Sequence, residues 1–131
     1  MWRTLLALTI LLSLVACSDE STHKNERIFY AYENNEEGVW VTGSGVVRKI
    51  FGDEELAGIT TQRFHVDLGN NFTVLVHYQI PGLLRLPITE NSPVAFAGVY
   101  EWQPAGGVIT VSNVGADSTD HWVLLNDRRY Y

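Results

Sequence analysis

The sequence predicts a mainly β protein, a small barrel carried behind a short helix and an export segment. Three observations point there. From Gly38 onward, valine-rich runs alternate apolar and polar residues at strand spacing. Gly43 and Gly45 lie inside the longest run, and glycine within a strand marks a bulge or a sharp bend. A long first strand bent at glycines is what a small closed barrel needs to serve two sheets. The opening residues follow a different pattern, that of a secretory signal.

The chain has 131 residues, enough for one domain. It starts with the positive segment Met1-Trp2-Arg3. An apolar run from Leu5 to Ala16 follows, interrupted by Thr9 and Ser13. The run falls short of the roughly 20 residues of a transmembrane helix. Leu14-Val15-Ala16-Cys17 resembles the bacterial lipobox, which implies a cleaved signal peptide over residues 1–16 and acylation of Cys17. Cys17 is the only cysteine, so no disulfide can form and the exported domain must rely on its core. More than one acyl chain gives stable membrane attachment. Ser18 after the cysteine resembles the outer-membrane sorting signal of enteric bacteria. The expected location is the periplasmic side of the bacterial envelope, outer membrane favoured over inner. Residues 17–24 are polar and read as a lipidated tether, and residues 25–131 as the barrel domain with its N-terminal helix.

The net charge of −6 becomes −7 once Arg3 leaves with the signal peptide. Residues 17–37 hold six acids against Lys24 and Arg27, which leaves −3 on residues 38–131. A nucleic-acid binder needs a basic footprint to neutralise phosphates. None is evident, so nucleic acid is not an expected partner.

The elements follow in order. Asn25 is placed to cap a helix over Glu26–Asn34, with Ile28, Phe29, Ala31 and Tyr32 forming its apolar side. Val39–Phe51 is the long bent strand. Gly52-Asp53-Glu54-Glu55 interrupts it and reads as a solvated turn. Gln62–Leu68 places Phe64, Val66 and Leu68 on one face and Arg63, His65 and Asp67 on the other. After the Gly69-Asn70-Asn71 turn signal, Phe72–Tyr78 returns as the second arm of a hairpin. If Leu68 pairs with Phe72, Leu75 lies opposite His65 and His77 is its diagonal neighbour on the outer face. Residues 79–93 hold Pro81, Pro87 and Pro93 and form a connection, with one helical turn near Leu83–Leu86. Val94–Trp102 and Val108–Val114 are the last two barrel strands, around a Pro104-Ala105-Gly106-Gly107 turn. His121–Leu125 reads as a short strand or as a segment packed across the barrel. Five strands with a long connection between the third and fourth match the order of an OB-like barrel.

These residues carry a family resemblance. Val41, Gly43, Gly45 and Val47 are similar to the V-x-G-x-G-x-V strand of an exported bacterial family of unknown function, number 3465. Gly98-Val99-Tyr100-Glu101-Trp102 and Gly106-Gly107-Val108 resemble its G-E-Y-E-W and G-G-V. The resemblance runs from Val41 to Trp122 and implies export and an OB-type barrel, with no established activity. The chain departs from the family at its histidines. The family's histidine-glutamine pair is Thr61-Gln62 here, and its strand ending in histidine-asparagine ends His77-Tyr78. Its H-W-T-H-x-D segment is replaced by Thr110-Val111-Ser112-Asn113-Val114-Gly115. Those histidines imply a metal site or a nuclease-like hydrolase in the family. With Thr61, Thr110 and Asn113 in their place, this chain is expected to lack such chemistry.

The residues themselves lead to a similar expectation. A metal site needs several ligands converging on one point. Two imidazoles, His65 and His77, are more often solvated surface than ligands, and no metal or other cofactor is expected. Glu101 is framed by Tyr100 and Trp102 but alternates away from them, and no serine sits in a nucleophile elbow. Trp40, His65, His77, Tyr78, Tyr100 and Trp102 are the candidate binding surface. Alternation favours core packing for Tyr78 and Tyr100 and exposure for Trp40. The leading expectation is a lipid-anchored binding or interaction module whose partners are the membrane, through Cys17, and an envelope protein or an extended ligand. The alternatives are a metal-assisted hydrolase, a degenerate member of such a family, and a structural envelope protein.

Overall fold

β1, Val39–Ile50, is the strand on which the architecture turns, because its two halves pair with different partners. From Val39 to Val46 it runs antiparallel to β5 (Pro93–Glu101), with Val39 opposite Tyr100 and Val46 opposite Pro93. From Val46 to Ile50 it pairs with β3 (Ile59–Gly69) across a bulge between Val47 and Lys49. β3 pairs with β4 (Phe72–Gln79), β4 runs parallel to β6 (Val108–Ser112), and β6 returns to β5. The ring β1-β3-β4-β6-β5 therefore closes on itself as a five-stranded barrel with OB-like strand order. The computed structural model describes residues 20–80, 85–112 and 120–131, the first five by backbone alone. Cys17 and the signal segment lie outside these residues, as do Leu83, Leu84, Asn113 and Val114.

The glycines in β1 act where the strand bends. A Cβ at Gly45 would stand 2.1 Å from the carbonyl oxygen of Asp67, so only glycine lets β1 pass β3 this closely. A Cβ at Gly43 would stand 2.7 Å from both Ile28 and Phe96, which fill that space instead. Phe64, Phe96, Tyr78 and Tyr100 form the centre of the core, surrounded by valines from every barrel strand. Gln62 also points inward, and its amide bonds both backbone groups of Leu86, fixing the long connection to the barrel.

The helix α1 spans Glu20–Glu33, so it starts well before the expected Glu26. Asn25 is thus inside the helix and does not cap it. Its buried amide reaches across instead. Nδ2 donates to the carbonyls of Ser44 and Leu68 at 2.8 and 3.1 Å, and Oδ1 accepts from the Ser44 N–H at 2.9 Å. A tertiary clasp has taken the side chain that local spacing assigned to a cap. Asn35, at φ 50°, ends the helix in a left-handed conformation; its N–H bonds the Tyr32 carbonyl, and the Glu36 N–H bonds that of Ala31. Ile28 and Ala31 are fully buried. Phe29 and Tyr32 each meet Phe72 edge-on at 5.1 Å, and Tyr32 stacks on Trp102 at 6.2 Å. The expected apolar side thus closes the end of the barrel formed by the β3–β4 and β5–β6 turns.

The β3–β4 register has Leu75 opposite His65 and His77 opposite Arg63, so His77 is the diagonal neighbour of His65. It slips at the turn, where Gly69 rather than Leu68 faces Phe72 across a bulge. The tight Asn70–Asn71 turn, with φ of 54° and 57°, imposes that slip. The acidic run read as a turn contains a strand, β2 (Glu54–Leu56), paired to β3 through an Ala57–Gly58 turn. β7 (Trp122–Leu125) lies beside β5, and β8 (Arg128–Tyr130) extends the sheet as an unanticipated edge.

Candidate functional site on the outer face of β3 and β4

The side chains that alternate away from the core form a continuous row across the strands. Arg63 of β3 pairs with His77 of β4, His77 with Thr110 of β6, Thr110 with Val99 of β5, and Val99 with Trp40 of β1. Neighbouring strands stand about 4.8 Å apart, so His77 is flanked directly by Arg63 and Thr110. His77 is half-buried, and its Nε2 has no hydrogen-bond partner among the described residues. Burial, then the positive Arg63, push its pKa below the ordinary histidine value, against the opposing pull of Glu54 and Glu101. The ring is therefore neutral at pH 7, and its unpaired Nε2 is shielded from solvent.

A single aromatic ring organises the cations around it. Phe51 receives His65 edge-on at 4.8 Å, the Lys49 ammonium at 4.9 Å and the Arg63 guanidinium at 5.7 Å. Burial and then Lys49 lower the pKa of His65. Arg63 also pairs with Glu54 at 3.0 Å and donates to the Gly52 carbonyl, so the β2 hairpin leans onto this face. Arg63 and Lys49 had not been singled out from the sequence. For Arg63 the signal was its alternation parity, shared with His65.

The six expected surface residues separate. His65 and His77 lie together. Trp40 is 51% exposed, three strands along the row from His77, and donates its indole N–H to the Asp120 carbonyl. Tyr78 and Tyr100 leave the set, because their parity turns them inward and both are fully buried. Tyr100 donates to the Gly106 carbonyl at 2.6 Å, and burial pushes its pKa to about 12. Trp102 is half-buried under α1 and donates to the Tyr32 carbonyl at 3.0 Å, so its partner is the chain's own helix. His121 is used locally, accepting the Ser112 N–H at its Nδ1.

The profile of a family described as "Protein of unknown function (DUF3465)" matches residues 8–131. The chain belongs to this family. No match was found among the curated proteins.

The histidine pattern implied by the resemblance acquires a spatial meaning on this barrel. Thr110 is the direct neighbour of His77 on β6. Thr61 pairs with Gln79, one step along the same face. Three positions at which the resemblance implies histidines, Thr61, His77 and Thr110, therefore share one side of the sheet, with Thr61 fully buried, and the fourth, Asn113, lies outside the described residues. Here the three hold one imidazole and two hydroxyls. Among the described residues no group of three or more His, Cys, Asp or Glu is placed to hold a metal ion. The side chains present do not fit the metal that the family's histidines imply.

Proposed function

We propose that the protein is a lipid-anchored binding module of the cell envelope that takes an envelope protein or an extended ligand on the outer face of β3 and β4. The observation that carries this reading is the row Arg63, His77 and Thr110 on this face, set beside the cluster of Lys49, Arg63 and His65 around Phe51. OB-type barrels hold extended ligands on the face of these two strands and on the loop before them, here the β2 hairpin. The adjacent polar side chains Arg63, His77 and Thr110 suit recognition of a ligand laid across the strands.

Photo-crosslinking in intact cells tests the face. A photoreactive residue at Leu75, beside His65, should give a discrete adduct that Arg63→Ala abolishes, while the same residue at Tyr30 on the helix gives none. Equal labelling from both positions, or none from Leu75, contradicts the reading. The anchor has its own test. Metabolic labelling with a palmitate analogue should mark the wild-type chain and not Cys17→Ser, and labelling of both contradicts it.

A second reading, a degenerate member of a metal-binding family, is favoured by one observation. The positions of Thr61, His77 and Thr110 converge on one patch although two of the imidazoles are missing.

A further inference from the structure

An open cleft of about 820 Å³ lies at the bend of β1, and it shares no residue with the His77 patch. Its floor is built from small residues, Ser44, Gly45 and Ala95, which leaves depth over the sheet. Apolar contacts come from Phe29 of the helix on one side and Leu124 of β7 on the other. Ser44 is unusual among the floor residues. Both of its backbone groups are held by Asn25, yet its hydroxyl is buried without a hydrogen-bond partner.

Two hairpin turns border the cleft, Asn70–Asn71 and Asn126–Asp127, and Asn70, Asn126 and Asp127 line it. All four residues adopt positive φ, from 48° to 63°. Turns of this kind favour glycine at the second position. The β2–β3 turn, which does not line the cleft, has it, as Ala57–Gly58. The two turns at the cleft keep amide and carboxylate side chains instead. Arg48 in the lining is already bonded to Asp67 at 3.3 Å and to Asn91 at 3.2 Å. With Asp127 the lining carries one more carboxylate than cation, which opposes an anionic ligand.

We propose that this cleft is a second binding site, for a short, neutral, hydroxyl-rich ligand of the glycan class. A sugar ring presents an apolar face to side chains such as Phe29 and Leu124. Its hydroxyls match the planar amides of Asn70 and Asn126 and the carboxylate of Asp127. The cleft has the size of small-molecule sites, about 300–1,000 Å³. The inference does not depend on the reading of the His77 patch.

Calorimetric titration of the purified full-length chain, in a detergent without a sugar headgroup, tests it with chitotetraose and maltotetraose. At least one of these neutral tetrasaccharides should bind. Asp127→Gly should weaken that binding at least tenfold while leaving the melting temperature unchanged or higher, because glycine relaxes the turn. His77→Ala should leave the binding unchanged. Absence of binding by both sugars overturns the proposal, as does wild-type affinity in Asp127→Gly or tighter binding of an acidic tetragalacturonate.

Discussion

The helix-covered end of the barrel and the outer face of β3 and β4 are both rich in aromatic and polar side chains, and they treat them in opposite ways. At the covered end most polar groups bond within the chain, the Ser44 hydroxyl excepted. Asn25 makes three hydrogen bonds, the Trp102 indole donates to Tyr32, and the Tyr32 hydroxyl donates to Pro104. Phe29, Tyr32, Phe72 and Trp102 spend their faces and edges on one another. On the outer face the chain gathers cations and imidazoles around Phe51 and leaves a nitrogen of His77 unpaired. Aromatic density at the covered end therefore marks self-docking, whereas the cations and the His65 imidazole around Phe51 lie on the face proposed for a partner.

Substitutions at the two regions should separate sharply. Asn25→Leu keeps much of the side-chain volume but strands the Ser44 N–H and two carbonyls in the interior. It should lower unfolding stability by about 3 kcal/mol, read as a fall in denaturant midpoint with unchanged slope. A loss below about 1 kcal/mol would show that water replaces the clasp and that the covered end is not sealed.

Acidification should have an intermediate effect, and it should act through the outer face. His77 and His65 both have folded-state pKa values below the ordinary 6.5. As pH falls, the unfolded chain takes up protons first. Their contribution to stability is therefore fully present above pH 6.5 and is lost as pH falls through the folded-state values. The carboxyls of Asp53 and Asp67 are held below the usual 3.8, mainly by Arg85 and by the Gly69 N–H respectively, so they act only at lower pH. Melting temperature should drop between pH 7.5 and 5, and His77→Gln should flatten the drop. A flat wild-type profile would place these rings in free solvent.

The smallest effect belongs to His77→Leu. Replacing an unpaired, half-buried imidazole by an apolar side chain removes nothing the fold uses. The melting temperature should stay within the range of an ordinary surface substitution, about 0.5 kcal/mol in stability, while crosslinking through Leu75 is lost. A large destabilisation would make His77 a structural residue.

Much of this division was legible before any coordinates. Strict alternation in β3, β4 and β5 separated Phe64, Val76 and Phe96 from Arg63, His65 and His77, because one face of each strand is dry. Gly43 and Gly45 announced the bend, since no other residue fits there. The helix boundary was not legible. Asn25 before an apolar stripe has the local pattern of a cap, and its true partners, Ser44 and Leu68, are distant in sequence. β2 and β8 are three-residue edge strands of mostly charged residues, too short for a period to show. Trp102 was legible as an aromatic at the end of a strand, but not as the seat of the helix. The neighbourhood of His77 with Thr110 depended on a parallel pairing between strands far apart in sequence. The cleft depended on the curvature of β1 and on two hairpin turns far apart in sequence.

The central claim is that Thr61, His77 and Thr110, the positions at which the resemblance implies histidines, hold no metal in this chain. The most direct test is thermal unfolding with and without zinc, in the wild-type chain, in His77→Ala, and in Thr61→His/Thr110→His. A ligand at about 100 times its dissociation constant stabilises the folded state by about 2.7 kcal/mol, a shift of several degrees for a domain of this size. The expected result is no zinc-dependent shift in the wild type and a shift of that order in the double variant. A shift in the wild type that His77→Ala removes would contradict the claim and make the protein a metal binder.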